Sequence, residues 1–371
     1  MIRVLVVEDS PVVREFLVHV LSSDPAIQVI GTACNGEEAL EAAGQAKPDL
    51  ITMDIHMPKM GGLEATRRIM ETQPIPIVIV SGSSNAREVA TTFHAMEAGA
   101  VAFVERPKGI GHPEHEATAA ELVTMVKLMA EVKVIRRWSR LRRETLATPV
   151  RPPADGRVYA PPEELALVAM GASTGGPLVL QSILAALPAD YPVPVLIVQH
   201  MAMGFIGGFV EWLAPTAALP IQVATQGQRI LAGHAYVAPD GLQMKVERAG
   251  VLSLTNDEPE NGHRPSVGCL FRSVARAYGP QAAGVLLTGM GKDGAEGLKE
   301  MRDRGAVTIA QDADSSVVHG MPGEAIRLDA ATYVLPPSRI AAALARLAHN
   351  RGAREEQRTA VSAEEDSSFN R

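Results

Sequence analysis

Cysteine is scarce in this chain: the two that occur, Cys34 and Cys269, stand far apart in the sequence. Two isolated thiols cannot build a disulfide framework or a cysteine-based metal site. Long apolar runs are also missing, because the apolar stretch that starts at Met1 is interrupted by Glu8 and Asp9 before a secretory segment or a membrane span could form. We therefore expect a cytoplasmic protein without membrane insertion.

The chain also lacks a surplus of positive charge, since its formal net charge is -7. Nucleic-acid binding relies on clustered basic residues that displace phosphate counterions, and the sequence has only a short basic run near 133–143, so we predict no nucleic-acid partner. What is present is a hydrophobic share of 46% and a charged share of 21% over 371 residues. These values are typical of a folded protein, and the length predicts two domains rather than one core.

The first part of the chain alternates short apolar strands with helical stretches. Five such strands predict a parallel sheet with helices on both faces, which is the doubly wound α/β arrangement. The predicted strands are 3–7, 28–32, 50–53, 75–80 and 101–104. We assign residues 1–130 to this domain. The basic residues and prolines of 131–162 then predict a linker.

A second alternation of strands and helices predicts another α/β domain over residues 163–350. Its predicted parallel strands are 165–170, 193–198, 283–288, 307–311 and 333–335. Between the second and third of these, the period-two alternation of 234–255 predicts an antiparallel hairpin on an otherwise parallel sheet. The charged, serine-rich residues 351–371 predict a disordered tail.

Three carboxylates follow strand ends in the first domain: Glu8 and Asp9 after the first strand, and Asp54 after the third. They would repel one another at a shared sheet edge unless a hard cation such as Mg²⁺ held them, and Asp54 could then attack a phosphoryl donor. Ser81 closes the fourth strand, where its hydroxyl could bond a phosphoryl oxygen, and Arg106 closes the fifth. Single residues of these types commonly cap helices, but the joint pattern is far more specific.

A glycine-rich turn follows the first strand of the second domain and carries Ser173. Such a turn presents the hydroxyl at the sheet edge, while the next helix directs free N–H groups at a developing negative charge. Taken alone, the turn is equally typical of a phosphate site or a helix cap. His200 and Asp293 each stand just beyond another parallel strand, so the three residues can converge as nucleophile, general base and orienting acid.

Residues 1–130 resemble the receiver domain of two-component response regulators. The motifs are Glu8-Asp9, Asp54-x-x-Met57-Pro58-x-Met60-x-Gly62, Ser81 and the basic residue before Pro107. The resemblance implies a flavodoxin-like sheet with Asp54 as the phosphoacceptor and a cytoplasmic histidine kinase as the phosphodonor. It also implies that Glu8 and Asp9 join Asp54 as Mg²⁺ ligands. Ser81 and Arg106 would sense the phosphoryl group.

Residues 165–347 resemble the catalytic domain of chemotaxis protein-glutamate methylesterases, a family in which a receiver precedes that domain. The motifs are the turns at Ser173, His200 and Asp293, His263-Arg264-Pro265-Ser266 and Gly320-Met321-Pro322. The resemblance implies a Rossmann-like sheet and a Ser-His-Asp triad, with the Thr174 and Met290 amides as oxyanion donors. The implied reaction is hydrolysis of glutamyl γ-methyl esters on methyl-accepting chemotaxis receptors, with glutamine deamidation as a second reaction. No cofactor is implied for this step, and phosphorylation would relieve a restraint imposed by the receiver.

Several positions depart from these family patterns. Arg106 stands where receivers usually carry lysine, and a planar guanidinium is not equivalent to a compact ammonium in a tight phosphate pocket. We therefore expect less productive phosphorylation, with Lys108 as a candidate substitute. Ala202, Lys292 and Gly268 stand where we expect proline, asparagine and aspartate, and they suggest an altered fit to substrate.

Two other functions compete with the receptor-directed esterase. A phosphorylation-dependent adaptor would keep the fold but only dock on receptors, and the intact set of serine, histidine and aspartate argues against it. A broad-specificity esterase for small esters would use the same catalytic residues. The residues alone do not separate that enzyme from the receptor-directed one.

Overall fold

The computed structural model describes residues 1–82, 86–132, 134 and 165–348. The chain divides into two compact units, Met1–Val150 and Arg151–Arg371. Most of the predicted linker, 131–162, and the whole predicted tail, 351–371, lie outside the described residues. Those assignments therefore stay predictions.

The N-terminal unit alternates strands and helices, as its apolar runs predict. Its strands are β1 (Ile2–Val7), β2 (Ile27–Ala33), β3 (Leu50–Met53), β4 (Ile77–Ser81) and β5 (Ala102–Glu105). Its helices are α1 (Pro11–Ser22), α2 (Gly36–Ala46), α3 (Gly62–Thr72), α4 (Ala86–Glu97) and α5 (His115–Ala130). All five predicted strands are confirmed, with ends that shift by two residues at most.

The five strands form one parallel sheet in the order β2-β1-β3-β4-β5, which is the flavodoxin-like order. Strands β3 and β4 are buried along their whole length, as expected for strands covered by helices on both faces. The strand order reverses between β1 and β3. In open α/β sheets a crevice lies beyond the carboxyl ends of the strands at such a reversal, and this is where ligands bind.

Residues that favour the start of a helix stand at the beginning of two helices of this unit. Asn35 precedes α2, and its side-chain oxygen accepts hydrogen bonds from the amides of Glu37 and Glu38 at 3.1 Å. Pro11 opens α1, where its missing N–H leaves no backbone hydrogen bond unmade. The helix start at Pro11 limits the β1–α1 turn, which carries Glu8 and Asp9, to residues 8–10.

The C-terminal unit has the same alternation with more strands. Its strands are β6 (Leu167–Ala172), β7 (Val195–Gln199), β8 (Ile221–Val223), β9 (Ala235–Val237), β10 (Gln243–Val246), β11 (Leu252–Thr255), β12 (Ala282–Leu286), β13 (Val307–Gln311) and β14 (Tyr333–Leu335). Its helices are α6 (Gly176–Ala186), α7 (Phe205–Leu213), α8 (Val267–Tyr278), α9 (Ala295–Asp303) and α10 (Met321–Arg327), followed by helical residues 337–348. A short 3₁₀ helix, Gly279–Gln281, precedes β12.

Seven of these strands form a parallel sheet in the order β14-β13-β12-β6-β7-β9-β8. Buried side chains of β6 and β7, such as Leu167 and Leu196, share one core cluster with Leu270 and Phe271 of α8. The strand order reverses between β6 and β12. The crevice expected at such a reversal therefore lies beyond the ends of these two strands.

The predicted hairpin is confirmed, but its place in the fold differs from the prediction. β10 and β11 pair with each other in antiparallel register as a separate two-stranded sheet, not as part of the large sheet. The start of the predicted segment is instead β9, which joins the large sheet in parallel beside β8. Strands of three residues carry too little periodicity to reveal their pairing partner.

Among the described residues, no helix combines the length and the apolar character that crossing a bilayer requires. This agrees with the absence of a long apolar run from the sequence.

Candidate active site and acidic site

Three loops of the C-terminal unit meet at the carboxyl edge of its sheet, next to the strand-order reversal. Ser173 follows β6, His200 follows β7, and the loop from Thr288 to Asp293 follows β12. Because β7 and β12 both pair with β6, the three loops are neighbours. The three loops therefore lie side by side at one edge of the sheet, as the sequence predicts.

The Ser173 turn is held by backbone hydrogen bonds on both sides. The Ser173 amide donates to the Thr288 carbonyl at 3.0 Å, and the Gly176 amide donates to the Ser173 carbonyl at 2.8 Å. A Cβ atom added at Gly289 would lie 2.7 Å from Ser173 Cβ, so only glycine permits the β12 loop to pass this close. The half-buried serine thus lies directly against the loop that carries Met290.

His200 and Asp293 form a buried contact beside this turn. His200 Nε2 lies 3.0 Å from Asp293 Oδ2, and the side chains are only 6% and 1% exposed. The contact is close but not aligned as a straight hydrogen bond, and both ring nitrogens lack a hydrogen-bond partner among the described residues. Catalytic hydrogen bonds are often poorly aligned in free enzymes and tighten with substrate. Nε2 is the ring nitrogen that faces the carboxylate, and neither ring nitrogen is hydrogen-bonded to the Ser173 hydroxyl.

Asp293 is kept ionised by the groups around it. Burial by itself raises the pKa of this carboxyl, but His200 and several hydrogen-bond donors hold the pKa well below its usual range. The Ser266 hydroxyl donates to Oδ1 at 2.9 Å, and the Val267 amide donates to Oδ2 at 2.7 Å. The Gly294 amide adds a hydrogen bond of 2.9 Å. Asp293 therefore also supplies a negative charge at the N-terminus of α8, where it is favourable.

One loop, 260–266, encloses the buried pair from a second side. The His263 ring stacks on the His200 ring, with centroids 3.9 Å apart and planes 7° apart. Asn261 Nδ2 donates to Asp293 Oδ1 at 3.3 Å. Burial lowers the pKa of His263 to about 4, and the neighbouring His200 adds to the decrease, so His263 is neutral at pH 7.

The two proposed oxyanion donors lie in these loops. Neither the Thr174 amide nor the Met290 amide donates a hydrogen bond to another described residue. Thr288 ties the loops together, because its hydroxyl donates to the Thr174 carbonyl at 2.9 Å. Free backbone donors in fixed loops are the arrangement that stabilises a developing oxyanion.

The sequence motifs contained residues whose place in the site could not be assigned from pattern alone. His263 and Ser266 belong to a recognised motif, yet only the fold brings them against His200 and Asp293. Gln199 precedes His200, and its amide links the carbonyls of Ser173 and His200. A glutamine that ends an otherwise apolar buried strand was the available signal for this residue.

Gly268 shows how one departure from the family pattern fits the site. Its amide donates to Asp293 Oδ1 at 3.2 Å. A Cβ atom there would lie 3.1 Å from the same oxygen and 2.8 Å from Glu260 Oε1. An aspartate at this position would bring a further carboxylate close to two others, whereas glycine leaves the space to Glu260, which pairs with Arg272.

The N-terminal unit brings its three acidic residues together as predicted. Glu8, Asp9 and Asp54 each offer an oxygen, and these atoms lie within 4.8 Å of one another. Burial, together with the charge of Asp54, raises the pKa of Glu8 to about 7. Burial also raises the pKa of Asp54. The buried Glu8 Oε2 atom has no hydrogen-bond partner among the described residues, as expected for an oxygen that serves as a cation ligand.

Arg106 lies beside this acidic cluster, and Lys108 does not. Arg106 Nη2 is 4.0 Å from Glu8 Oε2, and the Arg106 amide donates to the carbonyl of the buried Ser81. The Lys108 ammonium instead pairs with Glu105 at 2.5 Å. Of these two cations, Arg106 is therefore the one that lies next to Glu8.

Comparison with known proteins agrees with this architecture. The family model for the response regulator receiver domain matches residues 4–112, and the model for CheB methylesterase matches residues 168–344. A protein-glutamate methylesterase/protein-glutamine glutaminase of Nitrosospira multiformis is 60% identical to this chain, covering 95% of this chain and 98% of the relative. The chain belongs to the CheB methylesterase family.

Other relatives of this CheB-family chain are similar over comparable lengths. A protein with the same description from Geobacter metallireducens is 59% identical and covers 94% of this chain and 99% of its own length. Among solved structures, the Thermotoga maritima CheB methylesterase catalytic domain is 35% identical, covering 50% of this chain and 99% of that domain, with a TM-score of 0.48. The two family models and the two relatives make the chain a two-component hydrolase with a receiver domain and a methylesterase domain.

Proposed function

We propose that this CheB-family chain hydrolyses glutamyl γ-methyl esters on methyl-accepting chemotaxis receptors, with Ser173 as nucleophile. The observation that carries the proposal is the buried contact of 3.0 Å between His200 and Asp293, at the strand end next to the Ser173 turn. A non-catalytic adaptor would need Asp293 at the start of α8, but it has no use for a buried imidazole placed against that carboxylate. The intact pair therefore favours catalysis.

The first chemical step moves a proton from serine to histidine. Asp293 is an acceptor, so it favours the tautomer with the proton on Nε2 of His200, and the Nδ1 lone pair takes the proton of the Ser173 hydroxyl. The Ser173 oxygen attacks the ester carbonyl carbon. The carboxylate then stabilises the imidazolium without itself becoming protonated.

The attack leaves negative charge on the former carbonyl oxygen. The amides of Thr174 and Met290 are the donors that receive it, and their loops are fixed to each other through Thr288 before substrate arrives. The intermediate collapses by breaking the bond to methoxide, which His200 protonates to methanol. Water then hydrolyses the acyl-serine, with His200 again as base, and releases the glutamate.

The same residues support deamidation of glutamine. The leaving group is then ammonia rather than methanol, and the product is again glutamate. His200 donates the proton that this leaving group requires. No further side chain is needed for the second reaction.

The N-terminal unit supplies regulation in this proposal. Glu8, Asp9 and Asp54 fit a Mg²⁺ ion, because their oxygens lie within 4.8 Å of one another and the buried Glu8 Oε2 lacks a partner. Mg²⁺, when bound, neutralises phosphoryl charge. Asp54 accepts the phosphoryl group from a cytoplasmic histidine kinase, with Ser81 and Arg106 contacting it. Phosphorylation then relieves the restraint on the esterase.

A methanol-release assay tests the proposal. Full-length protein, phosphorylated and unphosphorylated, is incubated with receptor-containing membranes that carry radiolabelled methyl esters. We expect release by the wild type and none above background by Ser173→Ala. Ser182→Ala is the matched control, because Ser182 is an exposed residue of the following helix. A folded, phosphorylated wild type that releases no methanol would instead favour the adaptor.

A further inference from the structure

Gln199 is the last residue of β7 and is 2% exposed. Its side-chain amide group donates two hydrogen bonds, to the Ser173 carbonyl at 2.9 Å and to the His200 carbonyl at 2.8 Å. One NH₂ group therefore joins the turn that carries the nucleophile to the residue that acts as base. Both of its protons are used in that connection.

The backbone provides little other connection between these two loops. β6 and β7 pair up to Ala172 and Gln199, and the His200 amide donates to the Ala172 carbonyl at 2.9 Å. Beyond that point the Ser173 turn bends away into α6, since the Gly176 amide donates back to the Ser173 carbonyl. The Gln199 amide continues the link between the two strands past the last pair of their ladder.

The surroundings hold the Gln199 side chain in this conformation. A Cβ atom at Gly176 would overlap Gln199 Oε1, so the side chain occupies the space that this glycine leaves free. Oε1 is buried and accepts no hydrogen bond from the described residues. The hydrogen bonds that this side chain makes to described residues are therefore the two that its NH₂ group donates.

We infer that Gln199 is a positioning residue, which fixes the Ser173 turn relative to His200 and thereby sets kcat. It does not contact the reacting atoms. The inference rests on the proposed function, because it assigns Gln199 to the step in which Ser173 loses its proton to His200. Small misplacements of reacting groups have large effects, and a displacement of about 1 Å can lower a rate by about 100-fold.

The test compares Gln199→Met with Thr308→Val in the full-length protein. Methionine keeps the length of the side chain but donates no hydrogen bond. Thr308 of β13 is also fully buried in the same sheet, and its hydroxyl bonds to the Thr332 hydroxyl and amide, both at 3.0 Å, rather than to a catalytic loop. Both variants lose buried hydrogen bonds, so both should unfold at a lower temperature than the wild type.

Methanol release measured over a range of methylated receptor concentrations separates kcat from KM. For Gln199→Met we expect kcat to fall about 10- to 100-fold, with KM changed by less than about twofold. For Thr308→Val we expect both constants to stay within about twofold of the wild type. Gln199→Glu loses the NH₂ group and adds a negative charge facing two carbonyls. Its kcat should fall by at least as much as that of Gln199→Met.

The possible results distinguish the inference from the proposed function. If wild-type protein and Ser173→Ala release equal amounts of methanol, the proposed function fails and the inference fails with it. If only the wild type is active and folded Gln199→Met keeps a kcat equal to that of Thr308→Val, the positioning role is overturned while the proposed function stands. A fall in kcat shared equally by both variants would also overturn it, because that result reflects lost stability alone.

Discussion

The imidazole rings of His200 and His263 stack face to face, with centroids 3.9 Å apart and planes 7° apart. Both rings lie beside Asp293, which contacts His200 and whose charge opposes the fall in the pKa of His263. The stacked His263 ring keeps water from that face of the His200 imidazole and fixes the orientation of its ring.

The stacked pair predicts a specific dependence of stability on pH. The pKa of His263 is about 4 in the folded protein against 6.5 in an ordinary environment, so the unfolded chain binds more protons between these values. Stability therefore falls as the pH decreases from 6.5 towards 4. We expect this loss of stability to be about 1–2 kcal/mol. It is smaller than the same pKa shift would give for a fully buried group, because the ring is only partly buried.

The measurement is the free energy of unfolding at several pH values for the wild type and for His263→Phe. Phenylalanine keeps a flat ring against His200 but does not titrate. The part of the stability loss at low pH that comes from residue 263 should therefore disappear. Methanol release by His263→Phe should exceed that of His263→Ala, which removes the stacked ring. Identical acid dependence in the wild type and His263→Phe would contradict the assignment of the shift to this residue.

Replacing Asp293 with asparagine should impair both catalysis and folding. The amide favours the wrong imidazole tautomer, and in a well-studied triad the equivalent change lowers kcat by about 10⁴. It also places an NH₂ group among the Ser266 hydroxyl and the Val267 amide, which are donors, so we expect a loss of about 1–3 kcal/mol in stability. Methanol release and urea unfolding measure the two effects. Normal turnover by Asp293→Asn would rule out the triad.

The positions of the loops that carry Ser173, His200 and Asp293 were predictable because buried parallel strands are short apolar runs that end where polar residues begin. Strands β3, β13 and β14 even have the predicted bounds. The stacking of His263 on His200 was not predictable, because it depends on how loop 260–266 folds back over β7. The three-residue strand β8 was missed and β9 was assigned to the hairpin, because so short a segment does not reveal which strand it pairs with.

In the receiver, Arg106→Lys tests whether the guanidinium limits phosphorylation. A compact ammonium fits more closely against a phosphoryl group on Asp54, so we expect faster labelling from acetyl phosphate with Mg²⁺ and stronger activation of the esterase. Lys108→Ala is the control, because Lys108 pairs with Glu105 rather than with the acidic cluster. If Arg106→Lys changes neither the rate of labelling nor the activation of the esterase, arginine and lysine are equivalent at this position. If Lys108→Ala abolishes labelling, Lys108 is the cation in use.

Removing the receiver tests the proposed restraint. A fragment that starts near Val158 should release methanol faster than the unphosphorylated full-length chain, and acetyl phosphate should not change its rate. Even a weak restraint is effective within one chain, because covalent linkage keeps the effective concentration high. Relief of about 1.4 kcal/mol corresponds to a tenfold change in the active population. A folded fragment with equal or lower activity would point to a receiver that activates the enzyme directly.

Asp293 and Ser173 differ in how much the fold would suffer if each side chain were lost during evolution. The carboxylate accepts hydrogen bonds from the first amides of α8, so that helix depends on it whether or not the protein turns over substrate. The Ser173 turn is held by its backbone, so loss of the hydroxyl would affect folding little. A descendant released from selection for hydrolysis would therefore be expected to lose the serine first and to retain the aspartate. In related sequences, the serine position is the one that reports whether catalysis is still under selection.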